Sequence, residues 1–155
     1  MLTPAPFLRA LATCSSLFWT VSGASAGADC ERLHAVLGAV AAGQAAETEL
    51  STLLDSAPEA SCDTFVALGA SPSRYCRWQF DYRAADSETI FSNLTSAFET
   101  CFGADSTRPA DRSVNHPDTY HLRQFELDGW VVSVSLKDKA GLQASFVFLR
   151  FDPLD

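Results

Sequence analysis

His116, Asp118 and His121 are the densest group of side chains in this chain that could do chemistry, and they stand at the end of a stretch rich in Asp, Pro, Arg, Ser and Thr. Two imidazoles and a carboxylate suit a divalent metal or an acid/base role. The spacing does not place two histidines on one helix face, and Pro117 excludes an ordinary central strand. The remaining histidine beyond the N-terminal segment is His34, far off in the sequence, so no second cluster completes a metal shell. Asn115 and Asp118 are typical turn formers. The expectation is therefore a turn that contacts a ligand. A small metal-dependent or hydrolytic enzyme centred on residues 115–121 is the alternative.

Two other signals fail on context. Gly23-Ala24-Ser25-Ala26-Gly27 matches the nucleophile-elbow pattern of serine hydrolases, which needs a strand before the serine and a helix after it. Here the five residues sit at the edge of an export leader. Asn93-Leu94-Thr95 fits a glycosylation sequon, but Leu94 belongs to the apolar stripe of a helix, whereas acceptors lie on surface loops.

The leader runs from a short segment carrying Arg9, through an apolar stretch Leu11–Val21, to Ala24-Ser25-Ala26, a small-x-small cleavage pattern. Cleavage is expected after Ala26, leaving residues 27–155 as one domain. The apolar stretch of 11 residues is too short to span a bilayer, which takes about 20 as a helix. No stable membrane anchor is expected once the leader is gone. Removing it loses one base, Arg9, so 10 basic and 19 acidic residues remain of 11 and 19. That balance argues against nucleic acid, whose phosphates reward clustered Lys and Arg.

Cys30, Cys62, Cys76 and Cys101 follow the leader, and an even number of cysteines in an exported chain reads as a disulfide framework. A cysteine nucleophile is not expected, since pairing consumes all four. The pairing depends on the elements. Asp29 is a good N-cap, and Leu33, Val36, Leu37 and Val40 recur at helical spacing until Gly43, which predicts a helix over 30–42. A second helix over 46–56 offers Leu50, Leu53 and Leu54 before Pro58, making a helical hairpin that returns the chain toward Cys30.

Cys76, Trp78, Phe80 and Tyr82 then alternate with Arg77, Gln79, Asp81 and Arg83, the pattern of a half-buried strand. Ile90, Phe91, Leu94, Phe98, Cys101 and Phe102 mark one stripe of a helix that Gly103 ends. Such a helix, folded back over the strand, brings Cys101 to the strand's start, where Cys76 sits. The expected bonds are Cys30 with Cys62 and Cys76 with Cys101.

Residues 104–119 read as a surface loop. Strands are predicted over 120–127, 130–136 and 143–151, the first two joined by an Asp128-Gly129 hairpin turn. Trp130, Val132, Val134 and Leu136 face one way, and Val131, Ser133, Ser135 and Lys137 the other. The fold class is α+β: an N-terminal helical hairpin, then a strand-helix-three-strand unit whose antiparallel sheet has one face covered by helix.

With no assembled chemistry, the function expected is that of a small non-enzymatic binding protein in the periplasm or outside the cell, for example an inhibitor or neutraliser of a partner protein. Its partner would be a protein or small ligand of the cell envelope, and no cofactor or metal is expected. The contact residues expected are Arg77, Gln79 and Arg83 on the polar strand face, with His116, Asp118 and His121 at the end of the loop.

Overall fold

The computed structural model of the chain describes residues 24–44, 50, 54, 57–66, 71–103, 118–127 and 129–154. Among them two α-helices and five antiparallel strands make an α+β arrangement. In chain order they are α1 (Ala24–Ala41), β1 (Ser61–Phe65), β2 (Ser73–Asp81), α2 (Ala85–Phe102), β3 (Thr119–Leu127), β4 (Trp130–Lys139) and β5 (Ala144–Pro153). The sheet order is β1-β2-β5-β4-β3. Most of the leader, residues 1–23, lies outside the described residues, as do His116 and most of the loop expected over 104–119. Of the second helix expected over 46–56, only Leu50 and Leu54 are described.

The helices form where apolar spacing and end signals agree. Leu33, Val36, Leu37 and Val40 of α1 are all buried. Gly43 then takes φ of 80°, a left-handed conformation that glycine adopts at little cost, and the chain leaves the helix. In α2 the buried stripe is Ile90, Leu94 and Phe98, and Gly103 ends the helix with φ of 58°. Two buried hydroxyls on α2 are satisfied locally: Ser87 Oγ donates to the Ala84 carbonyl at 2.7 Å and Thr95 Oγ1 to the Phe91 carbonyl at 2.8 Å. Ala84 supplies no side-chain cap, but Asp86 and Glu88 in the first turn oppose the positive end of the helix dipole.

These stripes share one core with alternate residues of the strands. Trp78, Phe125, Val132, Val134, Leu136, Val147, Leu149 and Phe151 are buried in the same cluster as the α1 and α2 side chains, together with Leu50 and Leu54. Phe98 stacks on Phe125 with ring centroids 5.4 Å apart. Because side chains alternate across a strand, the intervening residues point to the other sheet face.

Two expectations are corrected. The disulfides are Cys30–Cys101, with Cα atoms 5.1 Å apart, and Cys62–Cys76, 4.0 Å apart. The cause is β1, a strand the sequence reading did not contain. It pairs antiparallel with β2 and sets Cys62 directly opposite Cys76 in the register, which leaves Cys101 for Cys30. The bond joins α1 about two turns past its start to the last turn of α2, and the His34 and Phe102 rings lie 4.7 Å apart beside it.

The second correction concerns the end of β2, which stops at Asp81. Tyr82 and Arg83 turn instead of continuing the strand, with Arg83 at φ of 57°. The reason lies in the bonds: Ala84 N donates to the Asp81 carbonyl at 3.0 Å, closing a turn, and Arg83 N donates to Ser145 Oγ at 2.7 Å.

Candidate functional site

The residues expected to form a site separate into different surroundings. Arg77 and Gln79 stand exposed on the outward face of β2, as the alternation implied. Arg83 does not join them. Its Nε lies 3.5 Å from Asp138 Oδ2, at one end of a polar network that also takes hydrogen bonds to Asp138 from Ser145 Oγ (2.6 Å) and Thr119 Oγ1. A carboxylate that is only 7% exposed needs such partners, so Arg83 belongs to the anchoring of β4 and β5.

Asp118 and His121 diverge. Asp118 Oδ2 accepts from Lys139 Nζ at 2.7 Å and Oδ1 from the Ala140 amide at 3.0 Å, closing the start of β3 onto the end of β4. Those hydrogen bonds, led by that of Lys139, hold the Asp118 carboxyl below its ordinary range. His121 pairs with Leu136 in the register and turns its ring toward Phe91 of α2, with centroids 6.3 Å apart. Among the described residues no three His, Cys, Asp or Glu side chains gather in a way that could hold a metal ion.

The outward sheet face holds a more coherent surface. Register places Tyr75, Arg150, Ser133 and Gln124 in one row across β2, β5, β4 and β3, and Arg77, Phe148, Ser135 and Leu122 in the next. A third row holds Gln79, Phe146, Lys137 and Tyr120. The small serines of β4 lie lower than the aromatic and long side chains on either side, so the face is concave. The trough has a volume of about 410 Å³ and is lined by strand residues alone, with Phe65 and Asp152 at one end and Lys137 and Tyr120 at the other. Its size falls within the range of about 300–1,000 Å³ usual for small-molecule sites.

Aromatic rings and cations alternate along this face. Lys137 Nζ sits 4.7 Å from the Phe148 ring centroid and 5.2 Å from that of Tyr120, so two rings flank the ammonium. The Arg77 guanidinium lies over Phe146 at 5.6 Å. Each contact is attractive by cation–π electrostatics. Burial lowers the Lys137 pKa, and the charges of Lys139 and Arg150 lower it further.

Asp63, Asp81 and Glu126 share this face by register but stand exposed at its edges, and two further acids at its margins are engaged by cations. Asp152 accepts from Arg150 Nε at 2.8 Å and from Ser73 Oγ at 2.5 Å. Asp118 takes Lys139. Among the described residues neither Lys137 nor Arg77 has a carboxylate partner.

Sequence reasoning placed Arg77 and Gln79 on the polar strand face and described Ser133, Ser135 and Lys137 as facing one way, but it did not name Tyr75, Tyr120, Leu122 or Phe148, which line the trough. The missing signal was in β5. Its run Phe146 to Leu149 is apolar at every position, and only the register shows that Val147, Leu149 and Phe151 point into the core while Phe146 and Phe148 point out. Comparison with protein-family models, curated proteins and solved structures finds no match to this chain.

Proposed function

We propose that this chain is an exported, non-enzymatic binding protein that holds its partner on the outward face of the sheet. The observation that carries this reading is the trough, in which aromatic side chains and Lys137, a cation without a carboxylate partner among the described residues, surround a serine floor, with Arg77 on the same sheet face beside it. Rings offer contact area at little entropic cost, and cations set orientation. Together they provide recognition without a nucleophile or a paired acid and base.

Export is supported by the two disulfides, which form and persist in oxidising compartments. Among the described residues no helix is long and apolar enough to cross a membrane. Periplasmic or secreted placement fits both facts, with residues 1–26 as the leader and the helical hairpin completing one covered sheet face. The partner belongs to the cell envelope, and a protein that the chain neutralises is one form it could take.

Charge reversal on the face tests the reading. Arg77→Glu combined with Lys137→Glu reverses both cations on the outward face. Arg77 is exposed, where changes usually cost within about 0.5 kcal/mol. Because Lys137 is half-buried, the fold of the variant is checked by circular dichroism and thermal unfolding. The expected result is a folded protein that recovers at most a tenth as much partner from an envelope extract of its host. Undiminished recovery by a folded variant places the binding surface elsewhere.

A further inference from the structure

Lys137 holds a charge that the fold does not neutralise. Its aliphatic stem is half-buried and its ammonium lies between Tyr120 and Phe148. The nearest cations, Lys139 and Arg150, are each matched by an acid, Asp118 and Asp152 respectively. Arg77, one row away across β5, is a second cation without a carboxylate partner among the described residues. A chain of net charge −8 thus carries an uncompensated positive centre inside its trough. Between low-dielectric ring walls, an anion gains more from such a centre than it would from the same charge in open water.

The lining also selects what the anion is attached to. Ser135 lies beside Lys137 on the same face, while Leu122, Phe148 and Tyr75 continue the wall toward Phe65, which is 53% exposed. A second copy of the chain fits poorly, because a two-fold contact of this face with itself would bring Lys137 and Arg77 against their own equivalents. A polyanion fits poorly too, since the acidic remainder of the surface repels it.

We propose that the trough binds a small amphiphilic carboxylate, with the carboxylate on Lys137 and its apolar body along Leu122, Phe148 and Tyr75. This rests on the reading of the outward face as the binding surface and assigns the ligand's chemistry. The head group accepts from the lysine ammonium and from the Ser135 hydroxyl. Arg77 adds attraction at longer range.

The test uses the disulfide-bonded protein and octanoate as probe, followed by amide chemical shifts and by calorimetry. Octanoate should shift amides of residues 120–122, 135–137 and 146–148, and 1-octanol should bind at least tenfold more weakly. Lys137→Gln should weaken octanoate at least tenfold, and Lys137→Arg should restore most of that affinity, a pattern that a loss of folding does not give. Equal binding of octanoate and 1-octanol, or an unchanged affinity in Lys137→Gln, overturns the assignment of an anion while leaving the face as the binding surface. Failure of octanoate to bind, with envelope-partner capture still abolished by Arg77→Glu with Lys137→Glu, also overturns it and points to a protein partner. Capture that survives the double reversal removes the underlying reading as well.

Discussion

At Lys137, burial opposes charge. The folded state lowers its pKa, so the desolvated ammonium costs stability at neutral pH. That cost disappears as pH rises through the lowered folded value to the ordinary lysine range, because the unfolded chain then holds more protons than the folded one. Lys137→Met keeps the stem between the rings and removes the charge. It should be at least as stable as the parent at pH 7, with the difference shrinking by pH 10 in urea denaturation at both values. Asp118 behaves in the opposite sense. Its carboxyl is held below its ordinary range by Lys139 and the Ala140 amide, so its contribution is complete above the ordinary aspartate pKa and is lost as pH falls through the lowered folded value. Asp118→Asn should therefore destabilise the protein at pH 7, with the difference shrinking as pH falls below the ordinary aspartate range, measured by the same denaturation.

Among the elements, β1 decides the connectivity. Ser61–Phe65 carries few apolar residues and is largely exposed, so its sequence lacks the alternation that reveals a half-buried strand. Only its pairing with β2 makes it one. The helix stripes, the meander and the alternation of β4 were legible, because each reflects one buried and one solvated side. The direction of Phe146 and Phe148 was not legible, because β5 is apolar on both faces, nor was the turn at Arg83, which depends on Ser145 and Asp138, about sixty residues away.

Non-reducing peptide mapping should show Cys30 with Cys101 and Cys62 with Cys76, and no other pairs. The two bonds close segments of 71 and 14 residues, which chain-entropy arithmetic turns into about 4 and about 3 kcal/mol. Replacing Cys30 and Cys101 together with serine should thus lower stability more than replacing Cys62 and Cys76, by thermal or denaturant unfolding. Phe98, fully buried between α2 and Phe125, is the side chain that most directly joins helix to sheet. Phe98→Ala should cost about 3–5 kcal/mol, as large core deletions do.

The molecule as a whole divides into a side that builds stability and a side that holds charge and rings. Its core gathers side chains of α1 and α2 with alternate residues of the strands in one buried cluster, fastened by Cys30–Cys101 between the helices and by Cys62–Cys76 at the sheet edge. The opposite face contributes strand pairing but keeps Arg77, Lys137 and Arg150 at its surface in an acidic protein. Such a separation lets the exposed side chains of that face vary while the core persists. Binding at this face should weaken as salt rises, since part of the attraction is electrostatic and partly exposed.

The most direct measurement is amide hydrogen exchange on the disulfide-bonded protein, alone and after it has been loaded from an envelope extract and repurified. Protection should appear at residues 120–124, 133–137 and 146–150, around the trough, with α1 and α2 unchanged. Protection confined to the helices, or gathered around Asp118 and His121 with none in β4 and β5, would contradict a binding surface on the outward sheet face.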